Sequence, residues 1–96
     1  MAHYIALIDD VGPDRAIGVW FPDLPGCTSG GDDIDEALRN APEALELCAE
    51  CYEEDGKPLP RPRTLTELKS DPEIAGDLKT HMVALIELPV RAHAAE

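Results

Sequence analysis

The chain has 96 residues, the length of one domain, and 44% of them are apolar, which is too many for a disordered acidic chain. Twenty acidic residues against eight basic ones give a net charge of −12. This charge disfavours a protein that binds nucleic acid or an anionic membrane, because such proteins need clustered Lys and Arg. Three cysteines and the absence of a signal-peptide pattern predict a cytoplasmic protein without disulfides.

The first third of the chain predicts three short strands. Residues 4–8 and 15–21 are rich in apolar side chains, and the polar turn between them favours an antiparallel hairpin. Two prolines and a glycine in the segment 22–26 then force a tight reversal. This reversal leads into a brief third strand at 27–30.

The next segment predicts one amphipathic helix. Asp33 stands in the position of an N-cap with Glu36 as its capping-box partner, and Gly56 favours the end of the helix. Pro42 lies inside the helix and is expected to kink it. The segment 32–55 contains ten acids and one base, which gives it a local net charge of −9. Apolar residues recur along it with helical spacing, at positions 34, 37, 38, 41, 45, 48 and 52.

The last third predicts an extended connection, two short helices and a final strand. Residues 57–63 hold three prolines and three bases, which favours a stiff, extended segment. Thr64 or Thr66 begins a short helix, and Asp71 followed by proline marks the start of another. Residues 81–88 are almost uniformly apolar, which is typical of a central or doubly covered strand.

The predicted order β-β-β-α-β indicates an α+β fold of two layers, with one main helix packed on one face of the sheet. The long crossover before the last strand favours parallel pairing with its neighbour. The other face of the sheet is expected to be poorly covered, which favours a homo-dimer or a higher oligomer. Residues 1–89 form the predicted domain, and residues 90–96 form a short tail that cannot hold a DNA-binding domain.

The reactive and metal-ligating side chains of the sequence do not form a convincing catalytic or metal site. Cys48 and Cys51 have the spacing of a redox pair, but they come late in an acidic helix, where a thiolate is disfavoured. We therefore interpret them as structural cysteines, and we predict no metal, no cofactor and no enzyme activity. A metal-dependent nuclease using acids such as Asp9 and Glu46 is a minor alternative.

A longer pattern gives the chain a family resemblance. The run Trp-Phe-Pro-Asp-Leu-Pro-Gly-Cys at 20–27 is followed by Gly-Asp at 31–32, Glu-Ala at 36–37, Asn-Ala at 40–41 and Glu-Ala-Leu at 43–45. This pattern resembles the HicB antitoxin family. The resemblance implies a partial RNase H-like domain without nuclease activity. It also implies a partner, the small basic ribonuclease toxin HicA, whose active surface the antitoxin covers.

Two segments are candidates for the toxin contact. The glutamates Glu43, Glu46 and Glu50 suit the basic surface with which a ribonuclease holds RNA. The rigid turn formed by Phe21, Pro22, Asp23 and Leu24 is the second candidate. Two plainer interpretations stay open, in which the helix acids only make the domain soluble and the turn is purely structural. The alternative function is a stand-alone HicB-like oligomeric module, regulatory or binding, without a toxin partner.

Overall fold

The computed structural model describes residues 2–89, and the predicted tail at 90–96 lies outside them. In this range the strands are β1 (His3–Asp9), β2 (Ile17–Trp20), β3 (Thr28–Gly31) and β4 (Met82–Glu87). The helices are α1 (Ile34–Glu54), α2 (Leu65–Lys69) and α3 (Ala75–Thr80). The strands form one sheet in the order β3-β2-β1-β4, and every neighbouring pair is antiparallel. The α+β class, the four-stranded sheet and the main helix confirm the fold prediction.

β1 is the strand that is covered on both faces. Tyr4, Ala6 and Ile8 belong to the apolar core that α1 covers. Ile5 and Leu7 point to the opposite face, because side chains alternate along a strand, and both are buried as well. The expectation of a poorly covered second face is therefore wrong at β1.

The segment that covers the second face is the return path through α2 and α3. Leu68 in α2 is fully buried, yet it lies outside the core beneath α1. At the start of this path Arg63 binds Asp23, close to the end of β2. At its end His81 lies 3.8 Å from the carboxylate of Asp9, the last residue of β1. The path therefore crosses from one end of the sheet to the other.

The predicted parallel, central position of the last strand is wrong. β4 lies at the edge of the sheet and pairs antiparallel with β1, with Met82 opposite Ile8. α1 carries the chain to the end where β1 begins, and there the hydroxyl of Tyr4 donates to the carbonyl of Pro60 at 2.6 Å. Because α2 and α3 then return the chain to the other end, β4 must run opposite to β1. An apolar strand thus stands at an edge, with only Ile86 buried.

α1 forms where it is predicted, but the predicted capping box does not, because the carboxylate of Glu36 accepts the backbone N–H of Asp32 at 2.6 Å and not that of Asp33. Asp33 caps it by accepting a hydrogen bond from the backbone N–H of Glu36 at 2.8 Å. The helix continues through Pro42, and a kink there stays a prediction. Its buried residues follow the predicted apolar stripe, and they are Ala37, Ala41 and Leu45. Removing α1 from the sheet would expose the whole of this core.

The starts of the two short helices differ in how well the sequence predicts them. Thr64 begins α2 with a capping box, in which Glu67 accepts the backbone N–H of Thr64 at 2.9 Å. α3 begins at Ala75, three residues after the predicted position. The side chain of Asp71 instead accepts the backbone N–H of Glu73 at 2.9 Å, which forms a turn before the helix.

The ion pair between Arg61 and Glu67 makes stability depend on acid pH. Two hydrogen bonds of 2.7 and 3.2 Å join the guanidinium to the carboxylate and lower the pKa of Glu67 to about 2. A depressed pKa in the folded state stabilises the protein above the unfolded pKa, and this contribution disappears as the pH falls toward 2. We therefore expect the urea midpoint to fall more between pH 5 and pH 2 for the natural chain than for Glu67→Gln. Glutamine keeps the cap but does not titrate. An equal fall of the urea midpoint in both proteins would contradict the prediction.

Candidate functional site

The acids of α1 violate the electrostatic preference of a helix at its C-terminal end. Asp35 and Glu36 in the first turn suit the positive end of the helix dipole. The last turn contains Glu53 and Glu54 and no basic residue, although a negative charge there is unfavourable. The acids of the first turn therefore suit the helix dipole, whereas those of the last turn do not.

Three of these acids form one outward stripe. Ala37, Ala41 and Leu45 mark the side of α1 that faces the core. At about 100° per residue, the glutamates lie within roughly 40° of the opposite direction. Glu43 is exposed, whereas two of them are half-buried. We call Glu43, Glu46 and Glu50 the acidic stripe.

An exposed leucine stands beside the acidic stripe. Leu47 is 62% exposed, although it lies in the middle of the main helix. It is three or four residues from Glu43 and Glu50, so their side chains are neighbours on the helix surface. Leu47 is not among the predicted contact residues, although the sequence distinguishes it as the leucine of α1 that falls outside the apolar stripe. Leu47 therefore adds an apolar side chain to the otherwise acidic outer surface of α1.

The second predicted contact segment, the turn at 21–24, lies mostly in the interior. Phe21 and Leu24 are each 1% exposed and belong to the core beneath α1. Their backbones are joined by hydrogen bonds within the turn, from Leu24 N–H to Phe21 O and from Cys27 N–H to Leu24 O. Pro22 is half-buried. A toxin contact through this turn stays a prediction, and the burial favours its structural interpretation.

Asp23 joins the turn to the return path. Its side chain is 3% exposed, and it accepts the backbone N–H of Arg63 at 2.8 Å and the Nε–H of the same residue at 2.6 Å. Arg63 also donates to the carboxylate of Asp71 at 2.9 Å. Hydrogen bonds to these two carboxylates raise the pKa of Arg63, so the guanidinium stays charged. The sequence could not show this clamp, because Asp23 and Arg63 are 40 positions apart.

The cysteines are three free thiols in different environments. Cys27 is buried, and its Sγ lies 3.7 Å from the carbonyl oxygen of Ala44 in α1. Burial, together with the neighbouring thiol of Cys48, raises the pKa of Cys27 to about 12. A thiol with this pKa is protonated at neutral pH and a poor nucleophile. Cys51 is exposed near the acidic end of α1.

Residues 2–89 contain neither a cluster of metal ligands nor a membrane-spanning helix. No group of three or more His, Cys, Asp or Glu side chains in this range is arranged to hold a metal ion. Asp9 ends β1 and faces His81, whereas Glu46 lies on the outer side of α1. No helix in the same range is long and apolar enough to cross a bilayer.

The fold and the acidic stripe define a small α+β domain whose main helix has a charged outer surface. The chain belongs to the family of HicB-like antitoxins of bacterial toxin–antitoxin systems, whose model matches residues 4–94. This membership confirms the resemblance that the motif at 20–27 and the following helix indicated.

Individual relatives support the same assignment. The chain is 43% identical over 49 residues to antitoxin HicB 2 of Photorhabdus laumondii, which is 51% of this chain and 35% of that protein. It is 36% identical over 70 residues to an uncharacterised 14.9 kDa protein of Haemophilus phage HP1, which is 73% of this chain and 51% of that protein. The chain thus spans about half or less of the curated relatives it matches.

Solved structures share the fold. The antitoxin HicB of Burkholderia pseudomallei superposes with a TM-score of 0.72 at 30% identity, over 94% of this chain and 65% of that chain. A chain in the HicA3 and HicB3 toxin–antitoxin complex superposes with a TM-score of 0.70, over 92% of this chain and 99% of that chain. Its 24% identity shows a shared fold alone.

Proposed function

We propose that the chain is an antitoxin that binds and neutralises a small basic ribonuclease toxin of the HicA type. The observation that carries this proposal is the acidic stripe of α1 with the exposed Leu47 beside it. A ribonuclease holds its anionic substrate with basic side chains, so its active surface is complementary to this helix. The antitoxin would cover that surface and exclude RNA both by its bulk and by its charge.

Family membership supports the same mechanism. A chain of the same fold occurs in a HicA3 and HicB3 toxin–antitoxin complex, and another in a toxin–antitoxin complex from Streptococcus pneumoniae. We further propose that the chain acts in the cytoplasm, catalyses no reaction, and binds neither nucleic acid nor membranes itself. A net charge of −12 supports the absence of nucleic-acid and membrane binding, because RNA, DNA and anionic lipids would all be repelled.

The test is binding to a HicA-type toxin encoded in the same genome, measured by calorimetry with the natural chain, two matched charge variants and Leu47→Ala. The first variant replaces Glu43, Glu46 and Glu50 with glutamine. Ion pairs at the solvated rim of an interface contribute about 0.2–1 kcal/mol each, so we expect the loss of three to lower the affinity by about 10-fold. Leu47→Ala is expected to weaken binding by a similar factor, because it removes an apolar anchor.

The second variant tests whether toxin binding depends on where the acidic residues lie or only on the net charge of the chain. It replaces three acids away from α1 with the corresponding amides, and so changes the net charge equally. These acids are Asp10, Asp14 and Glu73. We expect it to bind the toxin within about 3-fold of the natural chain at about 0.15 M salt. Equal losses in both variants would show that only net charge matters, and no binding by the natural chain would overturn the proposal.

The stand-alone module remains the second candidate, and one observation favours it. β4 leaves Val83 and Leu85 exposed on an unpaired edge of the sheet. Such an edge suits assembly with another protein chain. If the natural chain binds no toxin but forms a stable homo-oligomer, this second function replaces the first.

A further inference from the structure

The three cysteines of the chain lie at three different depths. Cys27, directly before β3, is 2% exposed and belongs to the core beneath α1. Cys48 in α1 is half-buried and packs against that core. Cys51, about one helical turn further along α1, is exposed. A thiol that solvent reaches is therefore followed by one at the margin of the core and by one inside it.

The carbonyl group of Ala44 brings the two inner thiols together. The Sγ of Cys27 lies 3.7 Å from this carbonyl oxygen, to which it donates a weak hydrogen bond. In a helix the N–H of residue i+4 bonds to the same carbonyl, and side chains lean toward the helix N-terminus, so the side chain of Cys48 lies over this turn. Cys27 and Cys48 are accordingly neighbours. Burial raises the pKa of Cys27, and the thiol of Cys48 raises it further.

Cys51 follows on the same side of the helix. At about 100° per residue, Ala44, Cys48 and Cys51 lie within roughly 60° of one another. Side chains three positions apart have Cβ atoms about 5–6 Å apart, which brings the sulfurs of Cys48 and Cys51 within reach of each other. A disulfide between these two would be strained, because an unstrained one needs Cβ atoms about 3.5–4.5 Å apart. A strained disulfide is open to attack by a third thiol, and Cys27 is the thiol beside Cys48.

We propose that the three cysteines form a thiol–disulfide site that reacts with a low-molecular-weight disulfide, oxidised glutathione, and ends as a Cys27–Cys48 disulfide. The thiolate of the exposed Cys51 attacks one sulfur of oxidised glutathione, and the first glutathione leaves. Cys48 then attacks the sulfur of Cys51 and releases the second glutathione. Cys27 finally attacks the sulfur of Cys48, and Cys51 becomes a thiol again. In total, two protein thiols are oxidised and give their protons to two glutathione thiolates, which are the reduced products.

The environment of Cys27 makes the final disulfide slow to form and slow to be reduced. A pKa of about 12 leaves this thiol protonated at neutral pH, which slows its attack on Cys48. The same environment favours the disulfide at equilibrium, because a disulfide is easily reduced only where the protein stabilises the thiolates that reduction produces. The core around Cys27 also keeps external thiols away from the bond. The site therefore responds to sustained oxidation and not to a brief exposure.

The disulfide joins the main helix to the sheet. Cys48 packs on the core side of α1 and Cys27 stands directly before β3, so the bond ties together two elements whose separation would expose the core. A crosslink between residues about 20 positions apart lowers the entropy of the unfolded chain. We expect it to raise the thermal midpoint of unfolding by at least about 5 °C. The acidic stripe lies on the other side of α1, so this inference does not depend on toxin binding.

The test is incubation of the full natural chain with oxidised glutathione at about pH 8, followed by acid quenching, alkylation and mass spectrometry. Trypsin separates Cys27 from the other two cysteines by cutting after Arg39, and a glutamate-specific protease separates Cys48 from Cys51 by cutting after Glu50. We expect a glutathione adduct on Cys51 that is replaced with time by a Cys27–Cys48 disulfide, with Cys51 free. The oxidised chain should unfold at a higher temperature than the reduced chain.

Variants of the two cysteines in α1 separate their roles. Cys51→Ser changes an exposed side chain and should slow formation of the Cys27–Cys48 disulfide by at least about 10-fold, because only less accessible thiols then meet glutathione. Cys48→Ser should stop the reaction at a stable glutathione adduct on Cys51. As the control, Ser70→Cys added to Cys51→Ser supplies an exposed thiol on another element, and it should not restore the rate.

Several results would overturn the proposal. They are no reaction of the natural chain, a lasting adduct on Cys51, or a final disulfide that does not join Cys27 to Cys48. An unchanged rate in Cys51→Ser, or a lower thermal midpoint after oxidation, would do the same.

Discussion

Replacing Asp23 with alanine is expected to lower the free energy of unfolding by about 3 kcal/mol, the lower end of the cost of breaking a buried ion pair. The change removes a carboxylate whose side chain is 3% exposed, and it leaves both the backbone N–H and the Nε–H of Arg63 without their acceptor. Arg63 is 30% exposed and retains Asp71, which limits the loss. Chemical denaturation of the two proteins measures the difference.

A control variant and a measurement of toxin affinity show which contact the effect of Asp23→Ala comes from. Asp71→Ala leaves the Asp23 contact intact and is expected to cost clearly less than Asp23→Ala, because the carboxylate of Asp71 is 25% exposed and that of Asp23 is 3% exposed. Toxin affinity, measured where Asp23→Ala is still folded, should stay within about 3-fold of the natural value if the turn is structural. A large loss of affinity without a loss of stability would instead make the turn at 21–24 part of the toxin contact.

Gly31→Ala is expected to destabilise the domain by about 3 kcal/mol, the upper end of the range for overpacking. A Cβ atom on Gly31 would stand 2.6 Å from the backbone nitrogen of Ala37 and 2.9 Å from the carbonyl carbon of Glu36. Both atoms belong to the backbone of the first turns of α1, so no side-chain rotation can relieve the contact. The start of the helix would have to move away from β3, and the core beneath it would open.

Gly76→Ala is the matched control for this substitution. Gly76 lies in α3, and a Cβ there would meet nothing within 4 Å. Alanine is the better helix former, so this change should stabilise the domain by about 0.5–1 kcal/mol. The two glycine substitutions thus have opposite expected signs in thermal or urea unfolding. A destabilising Gly76→Ala or a neutral Gly31→Ala would contradict the packing seen around α1 and β3.

The acidic stripe illustrates how far local pattern determines a surface. The spacing of apolar residues in α1 predicts which side faces the sheet, and Glu43, Glu46 and Glu50 follow on the outer side from the helical repeat alone. The turn at 21–24 illustrates the limit of this reasoning. Its prolines and glycine predict a rigid reversal of the chain, but they do not show that Phe21 and Leu24 fill the core. Burial depends on which distant element covers a residue.

The sequence by itself determined the family, the α+β class, the positions of the strands and the main helix, and its acidic outer side, because each depends on short-range periodicity, capping and composition. Only the tertiary structure decided the direction and edge position of β4, the clamp between Asp23 and Arg63, and the burial of β1 on both faces. Each of these depends on the path that α2 and α3 take across the sheet. Such a path is selected by the packing of residues far apart in the chain, and no local pattern encodes it.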